Sequence, residues 1–135
     1  NNWEVMKAHN NGDKKVHRNF EQISAIAQAM RVSLEKADWT DVGRLLREEW
    51  AYRRKNVPTI STELIDRLVT ASRRAGASGA KACGAGGGGC VFFLVEPGAK
   101  QRVEEVIVRE GAVVLPVKVA RQGVRVRVMA QAAEF

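Results

Sequence analysis

The chain has 135 residues, 45% of them hydrophobic and 27% charged, which fits one domain with a real core and is the ordinary balance of a soluble globular protein, with a frayed tail expected at Ala130–Phe135. No apolar run approaches the roughly 20 residues that a membrane-spanning helix needs. The formal net charge of +7 keeps anionic partners in view, nucleic acid among them, although the basic residues are spread along the whole chain.

The first strong periodicity lies at Val16, Phe20, Ile23, Ile26, Met30 and Leu34. Their steps of three and four predict an amphipathic helix from about Lys14 to Lys36, with Asp13 as its N-cap. Asp38 caps a second helix whose inner face is Val42, Leu45, Leu46 and Trp50, ending before Asn56-Val57-Pro58. A third helix begins at Ser61, carries Glu63 and Asp66 in its first turns, and buries Leu64, Ile65, Leu68, Val69 and Ala75. Gly76 is its expected left-handed stop. A short strand Ala80–Cys83 and a second strand Val91–Val95 follow, separated by a glycine run. Pro97-Gly98 leads into a shorter helix bearing Val103, Val106 and Ile107, stopped by Gly111. Residues 113–119 and the strict alternation of residues 124–128 predict two more strands, the first broken toward an edge by Pro116. These elements give an α+β layer, an antiparallel sheet carrying helices on one face, with no internal repeat or linker.

Five of the six residues from Gly84 to Gly89 are glycine, more than the one or two that a tight hairpin turn requires. Such a run is expected where backbone approaches another group closely or takes positive φ, and successive N–H groups in that state cradle anions. The spacing Gly84-x-Gly86-x-x-Gly89 formally fits a dinucleotide fingerprint, but Val91-Phe92-Phe93-Leu94-Val95 follows it as a strand where that motif requires a helix. The nucleotide-hydrolase loop is excluded too, because it ends Gly-Lys-Ser/Thr and this one ends Gly89-Cys90. What remains is a glycine loop joining two strands, with Gly84, Ala85, Gly86, Gly87, Gly88 and Gly89 as the candidate binding residues.

The segment Gly79-Ala80-Lys81-Ala82-Cys83-Gly84-Ala85-Gly86-Gly87-Gly88-Gly89-Cys90 resembles the C-terminal glycine motif of the GHMP kinases (galactokinase, homoserine, mevalonate and phosphomevalonate kinases). Asn2 to His9, Glu48-Glu49-Trp50 and Ile60 to Asp66 are similar to the bacterial sugar-phosphate branch, nearest to the D-glycero-D-manno-heptose 7-phosphate kinases. The resemblance implies a ferredoxin-like α/β sandwich with extra N-terminal helices. It also implies transfer of the ATP γ-phosphoryl group to a small metabolite, a reaction resting on positioning and charge neutralisation. The family's ATP-cradling motif, Pro-x-x-x-Gly-Leu-x-Ser-Ser-Ala, begins at none of Pro58, Pro97 and Pro116. The chain, which opens Asn1-Asn2-Trp3, is therefore expected to be the C-terminal domain of a longer cytoplasmic kinase. ATP and Mg would be held by the full-length protein, the N-terminal domain would be an intramolecular partner, and no catalytic residue or metal site is expected in this piece. Assembly into a homo-oligomer is compatible with that reading.

The other candidates have plainer readings. Lys81 precedes the loop and is expected to be solvated rather than to face phosphate. Glu48 and Glu49 are adjacent on a helix and point about 100° apart, so they cannot both serve one site; Trp50 reads as core. Trp3 and Asn2 would lie near substrate by family analogy alone. Cys83 and Cys90 have neither zinc nor redox-pair spacing and read as two reduced thiols, and His9 and His17 lie in no metal-ligand cluster. Lys118, Arg121, Arg125 and Arg127 form the one basic run without an acid, either the solvated face of a hairpin or a positive field that draws phosphates. Two further classes stay open. An RNA-binding ferredoxin-like module is disfavoured because Phe92 and Phe93 point to opposite faces and no second aromatic strand exists. A stand-alone small-molecule or regulatory module is the other alternative.

Overall fold

The computed structural model describes residues 2–126. Helix α1 (Asn2–Asn10) leads to α2 (Lys14–Glu35), α3 (Trp39–Asn56), a 3-10 turn at Pro58–Ile60, and α4 (Glu63–Ala75). Strands β1 (Ala77–Ala82) and β2 (Val91–Val95) then form an antiparallel pair, and α5 (Lys100–Arg109) follows.

The starts of α2, α3 and α4 are each capped by a side chain. Asp13 accepts the N–H groups of Lys15 and Val16 at 2.8 and 3.1 Å, and Asp38 accepts that of Asp41 at 3.0 Å, both as expected. The cap of α4 is Thr62, whose Oγ1 accepts from Ile65 at 3.2 Å; Ser61, one residue earlier, spends its hydroxyl on Asp66 Oδ1 at 2.7 Å. Gly76 ends α4 at φ +114°. Helix α1 lacks an apolar stripe, and Val5 is its buried contact beside α2.

The seam between α2 and α3 is more polar than the periodicity implies. Val16 and Ile26 are buried as expected, but Leu34 is 48% exposed, and the seam is completed by Asn19 and Ser33. Asn19 donates to Asn56 Oδ1 at 2.7 Å, and Ser33 donates to Asp41 Oδ2 at 2.6 Å, so both polar groups are satisfied across the seam. On α4 the same correction applies to Leu64, which is largely exposed, while Ser72 is fully buried.

Helix α3 lies against β1 at van der Waals limits. A Cβ on Gly79 would come within 2.8 Å of the Gly43 carbonyl oxygen, and one on Gly43 within 2.8 Å of Ser78 Cβ. That closeness brings Trp50 of α3 into one cluster with Ile60, Ile65 and Ala82, ringed by Val57, Val69 and Val91. Ala82 and Val91 are also the last ladder pair before the glycine loop, so the loop rises directly from this core.

The α+β class is as expected, but the described sheet is one hairpin. Strand β1 starts at Ala77, three residues earlier than expected, with an irregularity between Ala77 and Gly79. The strands expected at 113–119 and 124–128 are not formed over the described residues, and Val113, Val117, Val119, Val124 and Val126 are 81–96% exposed. An alternating pattern supplies a face to bury, yet a strand persists only when its backbone finds a partner edge, and Pro116 lacks the N–H a ladder would use. Lys118, Arg121 and Arg125 are correspondingly solvated, and Arg127, Val128 and the tail at Ala130–Phe135 lie outside the described residues.

Candidate functional site

The loop between β1 and β2 is closed at its neck by the Cys83 N–H, which donates to the Cys90 carbonyl at 2.8 Å. Gly84, Gly86, Gly87, Gly88 and Gly89 all take positive φ, from +72° to +146°, a region that side chains strain to enter.

These glycines have two different causes. Gly86 and Gly87 press against the 3-10 turn. A Cβ on Gly86 would sit 2.2 Å from Ile60 Cγ1 and 2.6 Å from its carbonyl oxygen, and the Gly87 N–H donates to that same oxygen at 2.8 Å. Gly84, Gly88 and Gly89 face the other way, with nothing within 4 Å of where their Cβ atoms would be. Among the described residues, the N–H groups of Gly88 and Gly89 meet no acceptor. The loop is thus pinned on one side and presents bare, solvent-facing backbone on the other, and this exposed side fits an anion held by backbone N–H groups. Ala85 is exposed between the two halves.

The ladder beneath the loop is anchored by charge. Lys81 Nζ lies 3.0 Å from Glu49 Oε1, which also accepts from Arg53 Nε; Glu49 is only 6% exposed, and its Oε2 has no partner among the described residues. The expectation of a solvated Lys81 is therefore corrected: its cation is spent on a carboxylate of α3, because β1 crosses that helix closely. Burying a carboxylate is costly unless it is paired, and Lys81 and Arg53 together supply the compensation. Glu48 and Glu49 diverge as expected, with Glu48 meeting Arg44 Nη1 at 2.6 Å on the surface. Trp50 is core, and Trp3 is 73% exposed. Cys83 and Cys90 are free and exposed. No group of three or more His, Cys, Asp or Glu lies together to hold a metal among the described residues. No helix there is long and apolar enough to cross a membrane.

Two features near the loop carried no sequence signal. Ile60 is the loop's seat, although it reads only as an apolar residue after a proline. On the far side of Ile60, a cavity of about 320 Å³ is lined by Val5, Met6, Phe20, Ile23 and Ile60, with Arg53 at its edge. Farther away, the Ser33 hydroxyl, and then the Arg44 guanidinium, hold the Asp41 carboxyl below its ordinary range, while Asp41 and Glu48 raise Arg44.

The fold and the loop together define an α+β domain whose hairpin carries a pinned glycine loop with exposed backbone. The chain belongs to the GHMP kinases: the family model described as GHMP kinases C terminal matches residues 30–113. The chain is 43% identical over 67 residues to a mevalonate kinase of Pyrococcus horikoshii, covering 50% of this chain and 20% of that protein. It is 31% identical over 125 residues to the mevalonate kinase of Pyrococcus abyssi, covering 82% and 37%. It is 26% identical over 114 residues to a D-glycero-alpha-D-manno-heptose 7-phosphate kinase of Campylobacter jejuni, covering 84% and 34%. The fold is similar to that of L. major mevalonate kinase, solved in complex with R-mevalonate, with a TM-score of 0.69 at 23% identity over 78% of this chain and 32% of that one. The chain therefore spans between a fifth and two-fifths of the length of these proteins. Mevalonate kinases predominate among the curated relatives, so the family is established while the heptose-phosphate branch expected from the flanking residues is not.

Proposed function

We propose that this chain is the C-terminal domain of a longer, cytoplasmic, ATP-dependent kinase whose acceptor is a small sugar phosphate such as heptose 7-phosphate. The observation that carries the reading is the exposed half of the loop, where among the described residues the N–H groups of Gly88 and Gly89 meet no acceptor and no side chain intervenes. ATP, with Mg, would supply the phosphoryl group. Gly84 to Gly89 would line the phosphate side of the cleft and exclude side chains from it. The N-terminal domain of the same polypeptide would bring the catalytic groups. Mevalonate is the second reading for the acceptor, favoured by the 43% identity to a mevalonate kinase; Glu48-Glu49-Trp50 and the residues after Ile60 favour the sugar phosphate.

ADP release by the longer protein, measured with heptose 7-phosphate and with mevalonate, tests the proposal. Turnover with the sugar phosphate supports it, turnover with mevalonate alone transfers the assignment to the second acceptor, and turnover with neither sinks both. The variant Gly89→Ala adds a methyl group into open space at φ +79°, where the backbone penalty is about 1–2 kcal/mol, so kcat/KM is expected to fall at least tenfold with the fold retained; unchanged kinetics would remove the loop from the site. The isolated chain is expected to transfer no phosphoryl group.

A further inference from the structure

The neck of the loop places two thiols opposite one another. The β1–β2 register ends at Ala82 against Val91, and the next pair outward is Cys83 against Cys90, joined by the 2.8 Å bond from the Cys83 N–H to the Cys90 carbonyl. Directly opposed residues of an antiparallel pair project to the same face, and in a hydrogen-bonded pair such as this one the Cα atoms lie about 5.5 Å apart. That spacing falls within the roughly 4.4–6.8 Å window of a disulfide. Both thiols are free and exposed, so a soluble oxidant reaches either. The register is held from both ends, below by the ladder and above by the Gly87 N–H on the Ile60 carbonyl, which keeps the two cysteines from slipping past one another.

We propose that Cys83 and Cys90 form a reversible disulfide across the neck of the glycine loop, with a small disulfide of the glutathione class as oxidant. One cysteine thiolate attacks a sulfur of the small disulfide, expelling one small thiolate and leaving a mixed disulfide. The second cysteine thiolate then attacks the protein sulfur of that bond and expels the second small thiolate. Two protein thiols are oxidised to one disulfide, one small disulfide is reduced to two thiols, and the two protons lost by the cysteines end on the released thiols. The exposed position makes such a bond labile rather than structural. Its effect is to tie both ends of a run with five positive-φ glycines, narrowing the shapes that the exposed backbone can take.

The bond does not depend on the kinase reading; its effect on turnover rests on it. The native chain is incubated with oxidised glutathione, and free thiols and intact mass are then measured. The expected result is loss of both thiols with no retained glutathione, while Cys83→Ser and Cys90→Ser each keep one glutathione. Two retained glutathiones, two intact thiols, or a disulfide-linked dimer would overturn the proposal. In the longer protein, oxidation should lower turnover at least several-fold, reversibly with dithiothreitol, and the double variant Cys83→Ser/Cys90→Ser, which has neither thiol to modify, should be insensitive. A bond that forms without changing turnover overturns the regulatory step alone, and absence of turnover in the reduced protein counts against the kinase reading and not against the bond.

Discussion

Gly84 and Gly86 have nearly the same φ, +72° and +74°, and opposite surroundings. Replacing each with Ala separates the cost of conformation from the cost of contact. At Gly84 the new Cβ meets nothing within 4 Å, so only the left-handed backbone is penalised, by about 1–2 kcal/mol. At Gly86 the Cβ would lie 2.2 Å from Ile60 Cγ1 and 2.6 Å from the Ile60 oxygen, so the loop must lift from its seat. Overpacking of that kind costs about 1–3 kcal/mol more, and lifting the loop also forfeits the Gly87–Ile60 hydrogen bond, worth about 1 kcal/mol. The gain from a stiffer unfolded chain is common to both variants and cancels in the comparison. Gly86→Ala is therefore expected to be less stable than Gly84→Ala by about 2–4 kcal/mol. Urea unfolding of the chain would show this as a midpoint lower by roughly 1 M or more at unchanged slope. Ile60→Ala in the Gly86→Ala background removes Cγ1 but not the oxygen, so the double-mutant cycle should report partial, not complete, relief. Midpoints for Gly84→Ala and Gly86→Ala within about 0.3 M of each other would refute the claim that the 3-10 turn seats the loop.

Three further outcomes follow from groups below and beside the loop. Lys81→Met leaves the buried Glu49 with Arg53 alone, which should cost about 2–3 kcal/mol in urea unfolding, and adding Glu49→Gln should recover part of that loss; additive losses would show that the pair is not coupled. Ser72 is wholly buried with no partner for its hydroxyl among the described residues, so Ser72→Ala should raise stability by about 1 kcal/mol, and a loss of that size would reveal a hydrogen bond there. Asp41 has a folded-state pKa lowered first by Ser33 and then by Arg44, so its contribution is present above the unfolded carboxylate range near pH 4 and fades as pH falls through the lower folded value. Asp41→Asn should therefore lower the thermal midpoint at pH 7, with the gap to the parent closing as the pH is taken below that range; a gap that persists there would show that the charge is not the cause.

Helices α2, α3 and α4 were legible because their ends are written in local chemistry, whereas α1 was not expected. Asp13, Asp38 and Gly76 act within three or four residues of themselves, and Pro58 stops α3 by its own ring. What was not legible depends on distance along the chain. Lys81 meets a carboxylate 32 residues away, and Asn19 an amide 37 residues away, so neither partner has any local signature. The 113–119 and 124–128 segments erred in the other direction. Their alternation is a true local pattern, but a strand is a property of a pair, and over the described residues no edge meets them.

The glycine loop shows the same division within six residues. Its composition announces that side chains are excluded, but not by what. At Gly86 the excluder is Ile60, a neighbour already inside the domain, and that glycine would be required even in a protein that binds nothing there. At Gly88 and Gly89 the surroundings are open; Gly89, at φ +79°, lies near the left-handed well, which a side chain enters at about 1–2 kcal/mol, whereas Gly88, at φ +146°, has a backbone that L side chains rarely adopt. Of these two, Gly89 is thus the glycine whose identity packing and backbone leave less explained, and among the described residues the N–H groups of Gly88 and Gly89 meet no acceptor. A ligand reading therefore belongs to that half of the loop. Substitutions at Gly86 report on folding, and Gly89→Ala, which meets no neighbour, reports on whatever the loop holds.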